Sequence, residues 1–469
     1  MSFFTTYYMM EECERKMIML LKQLVIKGLY NNYDYDVKFN DDVTFIYGMN
    51  GCGKTTVLNI TEAIITGRVY RLFEYGFNKI TLWYSAGSRK KKQPISVERK
   101  DDGLHVAFAE DNAIIRDLLR ERELPPDIDF EDIDRIYFSK NPILKNIKDI
   151  FNHAYLPLNR STHFENDNII FRMQRNMRYQ TGNRIVASSQ DIVMFKVEEL
   201  IRRKYSQIMS EIATINDQFR NEILKSLLSV KHGKQNNAII EVFDELSHLQ
   251  IEKKEILRIR ENYIQILKQL NILKDEEETT YTEFFDDFLS EYERSKGSNG
   301  LSLTLASKYL DIQRIKKLVE IAERTEEKKR VVYKPIETFV ETINGFLYNE
   351  IDDKRIHIST SGEVYFTISD HHSPIRISSL SSGEKQLVIF FASLIFEIQN
   401  NSTGIFIVDE PELSLHLSWQ AIFIEKALSI NNNIQLIFAT HAPEIIGKYT
   451  DKTFELIKKT CSKENKDEQ

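Results

Sequence analysis

Residues 48–55 read GMNGCGKT, and this stretch decides the fold. It is a GxxxxGKT loop that follows a short apolar run, VTFIY, and precedes TTVLNITEAII, whose apolar residues have helical spacing. Glycines let the backbone turn tightly, so that loop amides and the positive end of the following helix face anionic oxygens. We therefore predict a nucleotide-phosphate loop made by Gly48, Asn50, Gly51, Cys52, Gly53, Lys54, Thr55 and Thr56.

Two side chains of this loop have specific expected roles. Lys54 is expected to bridge the β- and γ-phosphates, and Thr55 to give its hydroxyl to Mg²⁺. Taken alone, the loop could also be a tight structural turn.

A second motif, GIFIVDEPELSLH at 404–416, is a buried strand that ends in two carboxylates. Asp409 is expected to hold the magnesium shell. Glu410 is expected to polarise the attacking water, because a carboxylate beside the metal site but not bound to it can accept a proton. The alternative is an acidic turn after a core strand.

Two further motifs complete the set. LSSGEKQ at 380–386 precedes a helical run, so Ser381 and Gly383 form either a second anion-binding cradle or a serine-rich helix cap. IQLIFATHAPEII at 434–446 is another buried strand, which ends near His441. A histidine at a strand end is often structural, but this one follows the Asp-Glu strand by about thirty residues, the length of one strand-helix-strand unit. We therefore expect its ring beside the same γ-phosphate.

Strands flank these motifs. We predict a strand at 21–30, antiparallel strands between 79 and 108, and closing strands at RIYF (135–138) and AYLPLN (154–159). A hairpin is expected from RIHIST and VYFTIS, followed by a strand at IRISSL. The last part alternates helix and strand, which predicts a parallel sheet.

Between these parts the apolar period changes to three and four over 192–230 and 239–273, around a KHGKQNN turn. This pattern predicts two long antiparallel helices with a coiled-coil-like seam, then further helix over 304–329. The acidic stretch 275–293 is either solvated helix or a docking surface for a basic partner.

The fold class is therefore α/β: a P-loop head with a mixed sheet, interrupted by an inserted antiparallel helical arm. The expected parts are an N-terminal extension (1–20), the first lobe of the head (21–165), the helical arm (166–330), the second lobe (331–450) and a polar tail (451–469).

Composition narrows the class of protein. With 28 Phe and 21 Tyr in 469 residues, the chain is expected to be ordered. Three scattered cysteines without a CxxC pair form neither a disulfide framework nor a zinc site, which fits a reducing cytosol. No apolar run approaches the roughly 20 residues that cross a bilayer, so a cytoplasmic protein without a membrane partner is expected.

Charge bears on nucleic-acid binding. A net charge of −7 argues against an overall basic field that coats nucleic acid. Two basic runs remain, one at 89–92 and one formed by Arg172, Arg175, Arg178 and Arg184. Each is either a solvated loop or a groove that follows phosphates, so DNA contact stays open.

The order phosphate loop, LSSGE, VDEPE, THAPE resembles the ABC ATPase family, with its SMC-like, Rad50-like and OLD-type members, over 21–165 and 331–450. The resemblance implies ATP and Mg²⁺ as cofactors and ATP hydrolysis with Glu410 and His441 as catalytic residues. It also implies that Ser381 and Gly383 touch the γ-phosphate held by the partner chain's phosphate loop. A head-to-head dimer, and from it a homo-oligomer, would follow.

Departures from these members narrow the resemblance. The arms are short for an SMC protein, no CxxC provides a zinc hook, and too few residues follow His441 for an OLD-type nuclease domain. No clear Gln-loop is present, and 155–160 (YLPLNR) is only a weak candidate. The chain looks most like the ATPase subunits of Septu anti-phage systems, which are PtuA-like.

The Septu resemblance implies a separately encoded HNH-type nuclease that the ATPase scaffolds and regulates, with no nuclease activity in this chain. The alternatives are a RecF- or Rad50-like ATPase that repairs DNA or binds DNA ends, and a scaffold that binds nucleotide without hydrolysing it.

Overall fold

The computed structural model describes residues 19–86, 92–118, 130–151, 153–156, 189–228, 252–269, 273, 278–295, 302–348, 353–368, 371–397, 404–413, 415–430 and 433–460. The chain divides into two units. The first unit comprises Met1–Tyr205 and Pro335–Gln469, and the second comprises Ser206–Lys334. The inserted unit thus begins and ends later than the 166–330 expected for the arm.

The strands, in chain order, are β1 (Met19–Leu29), β2 (Tyr33–Lys38), β3 (Val43–Tyr47), β4 (Lys79–Ala86), β5 (Gln93–Lys100), β6 (Gly103–Phe108), β7 (Asp111–Ile115), β8 (His153–Leu156), β9 (Arg355–Ile358), β10 (Val364–Ile368), β11 (His371–Arg376), β12 (Gly404–Asp409), β13 (Ile434–Ala439), β14 (Thr453–Glu455) and β15 (Lys459–Thr460). The α-helices are α1 (Lys54–Ile65), α2 (Phe130–Lys140), α3 (Pro142–Ile150), α4 (Ser189–Leu228), α5 (Lys253–Gln269), α6 (Glu278–Ser295), α7 (Leu303–Leu347), α8 (Ser382–Ala392), α9 (Leu417–Ile430) and α10 (Pro443–Ile446).

The first unit contains a parallel sheet of five strands in the order β14-β3-β13-β12-β8. Every residue of β12 and β13 is buried, which is typical of parallel strands covered on both faces. The alternation of apolar strands and helices in the last part of the sequence therefore predicted the sheet type correctly.

Two antiparallel sheets accompany it. One has the order β15-β2-β1-β4-β5-β6-β7, and the other has the order β11-β10-β9. The first includes the strands predicted between 79 and 108, and the second includes the predicted hairpin. The predicted fold class, an α/β head with mixed sheet and a helical insertion, is confirmed.

The core of the first unit connects the large antiparallel sheet, α1 and the parallel sheet. Leu24 of β1, Val57 of α1 and Ile407 of β12 belong to one buried cluster. Phe390 of α8 packs edge-on against Phe406 of β12, with ring centroids 5.3 Å apart. Full burial of each such side chain contributes about 1.5–3 kcal/mol. These contacts fix two helices: α1, which follows the phosphate loop, and α8, which begins at the LSSGE motif.

One predicted strand is wrong. RIYF at 135–138 lies in helix α2 and not in a strand. Ile133 and Tyr137, four residues apart, are buried, while Arg135 and Asp132 form an exposed ion pair. Tyr137 also stacks on Tyr70, with centroids 4.3 Å apart. The short apolar run was read with a period of two, whereas its longer surroundings have a helical period.

Other boundaries differ from the sequence-based expectation. Strand β2 was not predicted, although YDYDVK alternates between the core and the charged face and pairs with β1. Helix α7 continues past 329 through Pro335. Residues assigned to a polar tail provide β14, which pairs with β3, and β15, which pairs with β2. The head therefore extends beyond residue 450.

The second unit has a core of its own, rich in aromatic residues. Phe285 and Phe288 of α6 are completely buried, and Tyr292 and Tyr309 pack with them. Three carboxylates of its acidic stretch are paired within the unit, in the ion pairs Lys268–Glu278, Arg260–Asp286 and Lys308–Glu291. The predicted KHGKQNN turn lies outside the described residues. Within the described part of the chain, no helix is long and apolar enough to cross a membrane.

Candidate functional site

Three of the four predicted motifs lie at one edge of the parallel sheet. Strands β3, β13 and β12 are neighbours, with Ala439 paired to both Ile46 and Asp409. The carboxyl ends of parallel strands point the same way, so the loops after these three strands share one edge. The phosphate loop follows β3, the Asp-Glu pair ends β12, and the THAPE motif follows β13.

The phosphate loop has the backbone that its glycines permit. Gly51 (φ 76°) and Gly53 (φ 103°) occupy the left-handed region that favours glycine. Gly51 and Asn50 are exposed, and a Cβ on Gly51 would meet no atom within 4 Å. Lys54 donates from Nζ to the Gly48 carbonyl at 2.8 Å. The loop is therefore exposed to solvent at Asn50 and Gly51 and anchored by the hydrogen bond between Lys54 and Gly48.

Helix α1 begins at this loop without a side-chain cap. Its N-cap residue is Gly53, and no side-chain hydrogen bond caps the described helix. The first N–H groups of the helix, including those of Thr55 and Thr56, thus lack the usual side-chain acceptor. An anion is the partner that such a helix start prefers.

Tyr35 of β2 supports the loop from behind, a contact that sequence reasoning missed. Its hydroxyl donates to the carbonyl of Cys52 at 2.8 Å, and burial raises its pKa to about 12. A Cβ on Gly53 would lie 2.8 Å from the same hydroxyl. Cys52 itself is buried and is not in a disulfide.

Asp409 is a buried carboxylate without a hydrogen-bond partner. It is 3 % exposed, and neither carboxylate oxygen has a hydrogen bond in the described part of the chain. Burial raises its pKa to about 6, and the charges of Glu410 and Glu412 add to that rise. Thr55 and the charge of Lys54 lower the pKa of Asp409. The Thr55 hydroxyl nevertheless does not reach hydrogen-bond geometry with either carboxylate oxygen.

These features fit a magnesium site completed by a nucleotide. Mg²⁺ is commonly held by one or two protein oxygens, with substrate phosphates and waters supplying the rest. The described residues contain no group of three or more His, Cys, Asp or Glu side chains that could hold a metal ion alone. Asp409 and Thr55 could supply the protein ligands. When bound, Mg²⁺ would neutralise charge on the phosphate oxygens.

Three side chains lie beyond Asp409. Glu410 has φ 46°, a strained value for a residue with a side chain, and its N–H donates to Ala439 at 2.7 Å. His441 Nδ1 is 3.8 Å from Glu410 Oε1 and 3.0 Å from Glu412 Oε1. The nearest carboxylate to His441 is therefore Glu412, which sequence reasoning passed over. The only sequence signal for Glu412 was its place as the third acid of the DEPE motif.

The LSSGE motif forms a capping box at the start of α8. Ser381 accepts from the Glu384 N–H at 3.4 Å, and its own N–H donates to Glu384 Oε2 at 2.8 Å. Lys354 holds the same carboxylate at 2.9 Å and 3.0 Å. No hydrogen bond or ion pair within the described ranges joins Ser381 or Gly383 to the phosphate loop. The capping role is visible, and the γ-phosphate contact stays a prediction.

Gln386 links this helix to the Asp-Glu strand. Its Nε2 donates to the carbonyl of Pro411 at 3.1 Å.

The basic residues Arg172, Arg175, Arg178 and Arg184 lie outside the described residues, as do residues 87–91 and 157–160. Their predicted roles stay predictions.

Comparisons with known proteins identify similar ATPases. A family model described as "AAA ATPase domain" matches residues 19–446. The chain is 28% identical over 138 residues to the "Retron Vc95 probable ATPase" of Vibrio cholerae serotype O1 biovar El Tor, covering 28% of this chain and 25% of the relative. It is 29% identical over 100 residues to the "Retron Ec83 probable ATPase" of Escherichia coli, covering 19% and 18%. The chain thus matches a quarter or less of each relative's length.

Among solved structures, one similar chain is the Smc head domain with an extended coiled coil, bound to the C-terminal domain of ScpA, from Pyrococcus furiosus. The identity is 11%, the coverage is 95% of this chain and 96% of the other, and the TM-score is 0.40. A likeness at that score supports no conclusion about function.

Proposed function

We propose, from the premise that this chain belongs to the AAA ATPase domain family, that it binds ATP with Mg²⁺ and hydrolyses it to ADP and phosphate. The family match spans residues 19–446 and so includes all four motifs.

The observation that carries the proposal is the state of Asp409. A carboxylate buried without hydrogen bonds is costly unless a charge or a ligand completes it. This one lies beside Thr55 and Lys54, at the edge where the uncapped start of α1 is exposed to an anion. A magnesium-bound triphosphate would satisfy both features at once.

Each residue then has a defined part. Lys54 would exchange its bond to the Gly48 carbonyl for phosphate oxygens. Thr55 and Asp409 would hold Mg²⁺. Glu410 would accept the proton of the attacking water, and His441 would contact the end of the triphosphate.

A head-to-head dimer would complete the site. Ser381 and Gly383 stand at the start of α8, and within the described residues they make no polar contact with the phosphate loop of their own chain. Their proposed role is on the nucleotide of a second copy, where the start of α8 would face the γ-phosphate.

We place this ATPase in a bacterial anti-phage defence complex in the cytoplasm. The names of the two relatives, both retron ATPases, support a defence setting. The finer proposal is a Septu-like subunit, a homo-oligomer that scaffolds and regulates a separate HNH-type nuclease without cutting DNA itself.

The experiment is co-purification of the tagged chain from its native operon, with complex mass and ATP turnover recorded. Wild type is compared with Lys54→Ala and with the control Lys38→Ala, which alters an exposed lysine of β2. A stoichiometric small nuclease and turnover lost only in Lys54→Ala would support the proposal. A lone dimer that holds DNA only with ATP would instead favour DNA repair. Equal turnover in the two variants would refute the assignment of the phosphate loop.

A further inference from the structure

Glu412 is a buried carboxylate aimed at His441. Its side chain is 5 % exposed, and Oε1 accepts the main-chain N–H of His441 at 2.9 Å. The same oxygen is 3.0 Å from His441 Nδ1. One oxygen thus contacts both the backbone and the ring of a single residue 29 positions away in the sequence.

The other oxygen of Glu412 has no hydrogen-bond partner in the described part of the chain. The polar contacts of this side chain are therefore concentrated on His441. A buried carboxylate with one oxygen that makes no hydrogen bond destabilises the fold, because burial of unpaired polar atoms costs free energy. Its placement is better explained by what it does to the histidine.

The turn that carries Glu412 is fixed from two sides. Gln420 of α9 donates to the carbonyls of Leu415, at 3.0 Å, and of Glu412, at 3.4 Å. Gln386 of α8 donates to Pro411 at 3.1 Å. These bonds hold the backbone on both sides of the carboxylate, so its direction is set by the fold.

The contact selects one ring nitrogen. Oε1 and Nδ1 lie within ion-pair distance, and because an ionised carboxylate can only accept hydrogen bonds, a hydrogen bond between them requires the hydrogen on Nδ1. Nε2 is then the nitrogen left for water or phosphate. The His441 side chain is 47 % exposed, which leaves room for such a partner.

We propose that Glu412 is a positioning residue that holds His441 by its backbone N–H and by Nδ1–H, so that Nε2 faces the nucleotide. The inference rests on the proposed ATPase function and assigns Glu412 a part in it. In this role Glu412 acts through His441 and is not itself assigned a contact with the nucleotide.

The test uses the full chain and has two independent readouts. The first is nitrogen NMR of protein labelled with ¹⁵N-histidine, with the His441 signals identified by their loss in His441→Gln. We expect Nδ1 to be protonated in wild type and in Glu412→Gln, which keeps an acceptor oxygen, and to lose its hydrogen-bonded signature in Glu412→Leu. An unprotonated Nδ1 in wild type would overturn the proposal without any Glu412 variant.

The second readout is steady-state ATP turnover by the same proteins and by the double variant. Glu412→Leu should lower kcat on the order of 10- to 100-fold, as misplacement of an active-site group does, with KM for ATP within about twofold of wild type. Glu412→Gln should recover most of that loss. The double variant should match His441→Gln alone, because one residue acts through the other. Losses that multiply would overturn the proposal.

The two readouts separate the failures. A wild type that does not turn over ATP would refute the proposed function, and the NMR result would still decide whether Glu412 fixes the ring of His441.

Discussion

Replacing Asp409 with asparagine is expected to stabilise the nucleotide-free protein. The pKa of Asp409 is raised from 3.8 to about 6 by burial, and this difference corresponds to about 3 kcal/mol against the charged form. Because the folded pKa is the higher one, the penalty is absent below pH 3.8, grows as the pH rises towards 6, and is complete above it.

Removing the charge removes this penalty, but the buried amide that replaces the carboxylate offsets part of the resulting gain in stability. An unpaired amide costs about 1 kcal/mol or more, so the expected net gain near pH 7.5 is about 2 kcal/mol. At pH 5 the carboxylate penalty is roughly half as large, and the gain should fall below about 1 kcal/mol.

The assay is urea unfolding followed by tryptophan fluorescence. Both tryptophans, Trp83 and Trp419, belong to the first unit, so the signal reports on the unit that contains the site. Asp111→Asn, at an exposed position of β7, is the matched control and should change stability by less than about 0.5 kcal/mol.

Addition of Mg²⁺ and ATP should remove most of the difference in stability between the two proteins. At 100 times its Kd the nucleotide adds about 2.7 kcal/mol to wild type, and the asparagine variant should gain less than half of that. If Asp409→Asn is less stable than wild type at pH 7.5 without nucleotide, the carboxylate has a partner within the protein and the reasoning fails.

Other substitutions test separate parts of the head. Gly53→Ala places a Cβ 2.8 Å from the Tyr35 hydroxyl at φ 103° and should destabilise by more than about 1 kcal/mol in urea unfolding; an unchanged midpoint would contradict the loop geometry. Ser381→Ala removes the cap of α8 and should cost about 1 kcal/mol, whereas Ser381→Gly should cost only a few tenths, and equal costs would count against the capping box. Phe390→Ala should cost about 3–5 kcal/mol, and a loss below 1 kcal/mol would show that its aromatic contacts do not order the core. Glu410→Gln should keep ATP affinity, measured by titration, while turnover falls at least about 100-fold; unchanged turnover would remove its role as base.

Local features of the fold could be predicted from the sequence. The loop at 48–55 is bounded by an apolar strand and a helix within about twenty residues, and such short-range patterns carry their own signal. The same holds for β12 and β13, whose unbroken apolar runs are typical of buried parallel strands. Asp409 and His441 could be placed at one sheet edge because parallel strands end together.

Contacts between distant parts of the chain could not be predicted in the same way. Glu412 meets His441 across 29 positions, and Tyr35 of the large antiparallel sheet meets Cys52 of the loop after β3, which belongs to a different sheet. No single-sequence pattern encodes either contact. RIYF was misread because four apolar-rich residues fit either period, and only the partners Tyr70 and Leu118 decide for a helix. Strand β2 was missed because its two aspartates mask an alternation that is evident once β1 lies beside it.

The position of β3 between β13 and β14 has a consequence for the order of events during synthesis. β3 (from Val43) leaves the ribosome 391 residues ahead of β13 (from Ile434), and β14 follows later still, while Gln435 bonds to Leu21 across 414 positions. At about 5–20 residues per second, tens of seconds separate the first strand from its partners. The nascent chain therefore exposes a phosphate loop without a finished sheet beneath it, and translation itself delays the moment at which the protein can first respond to nucleotide.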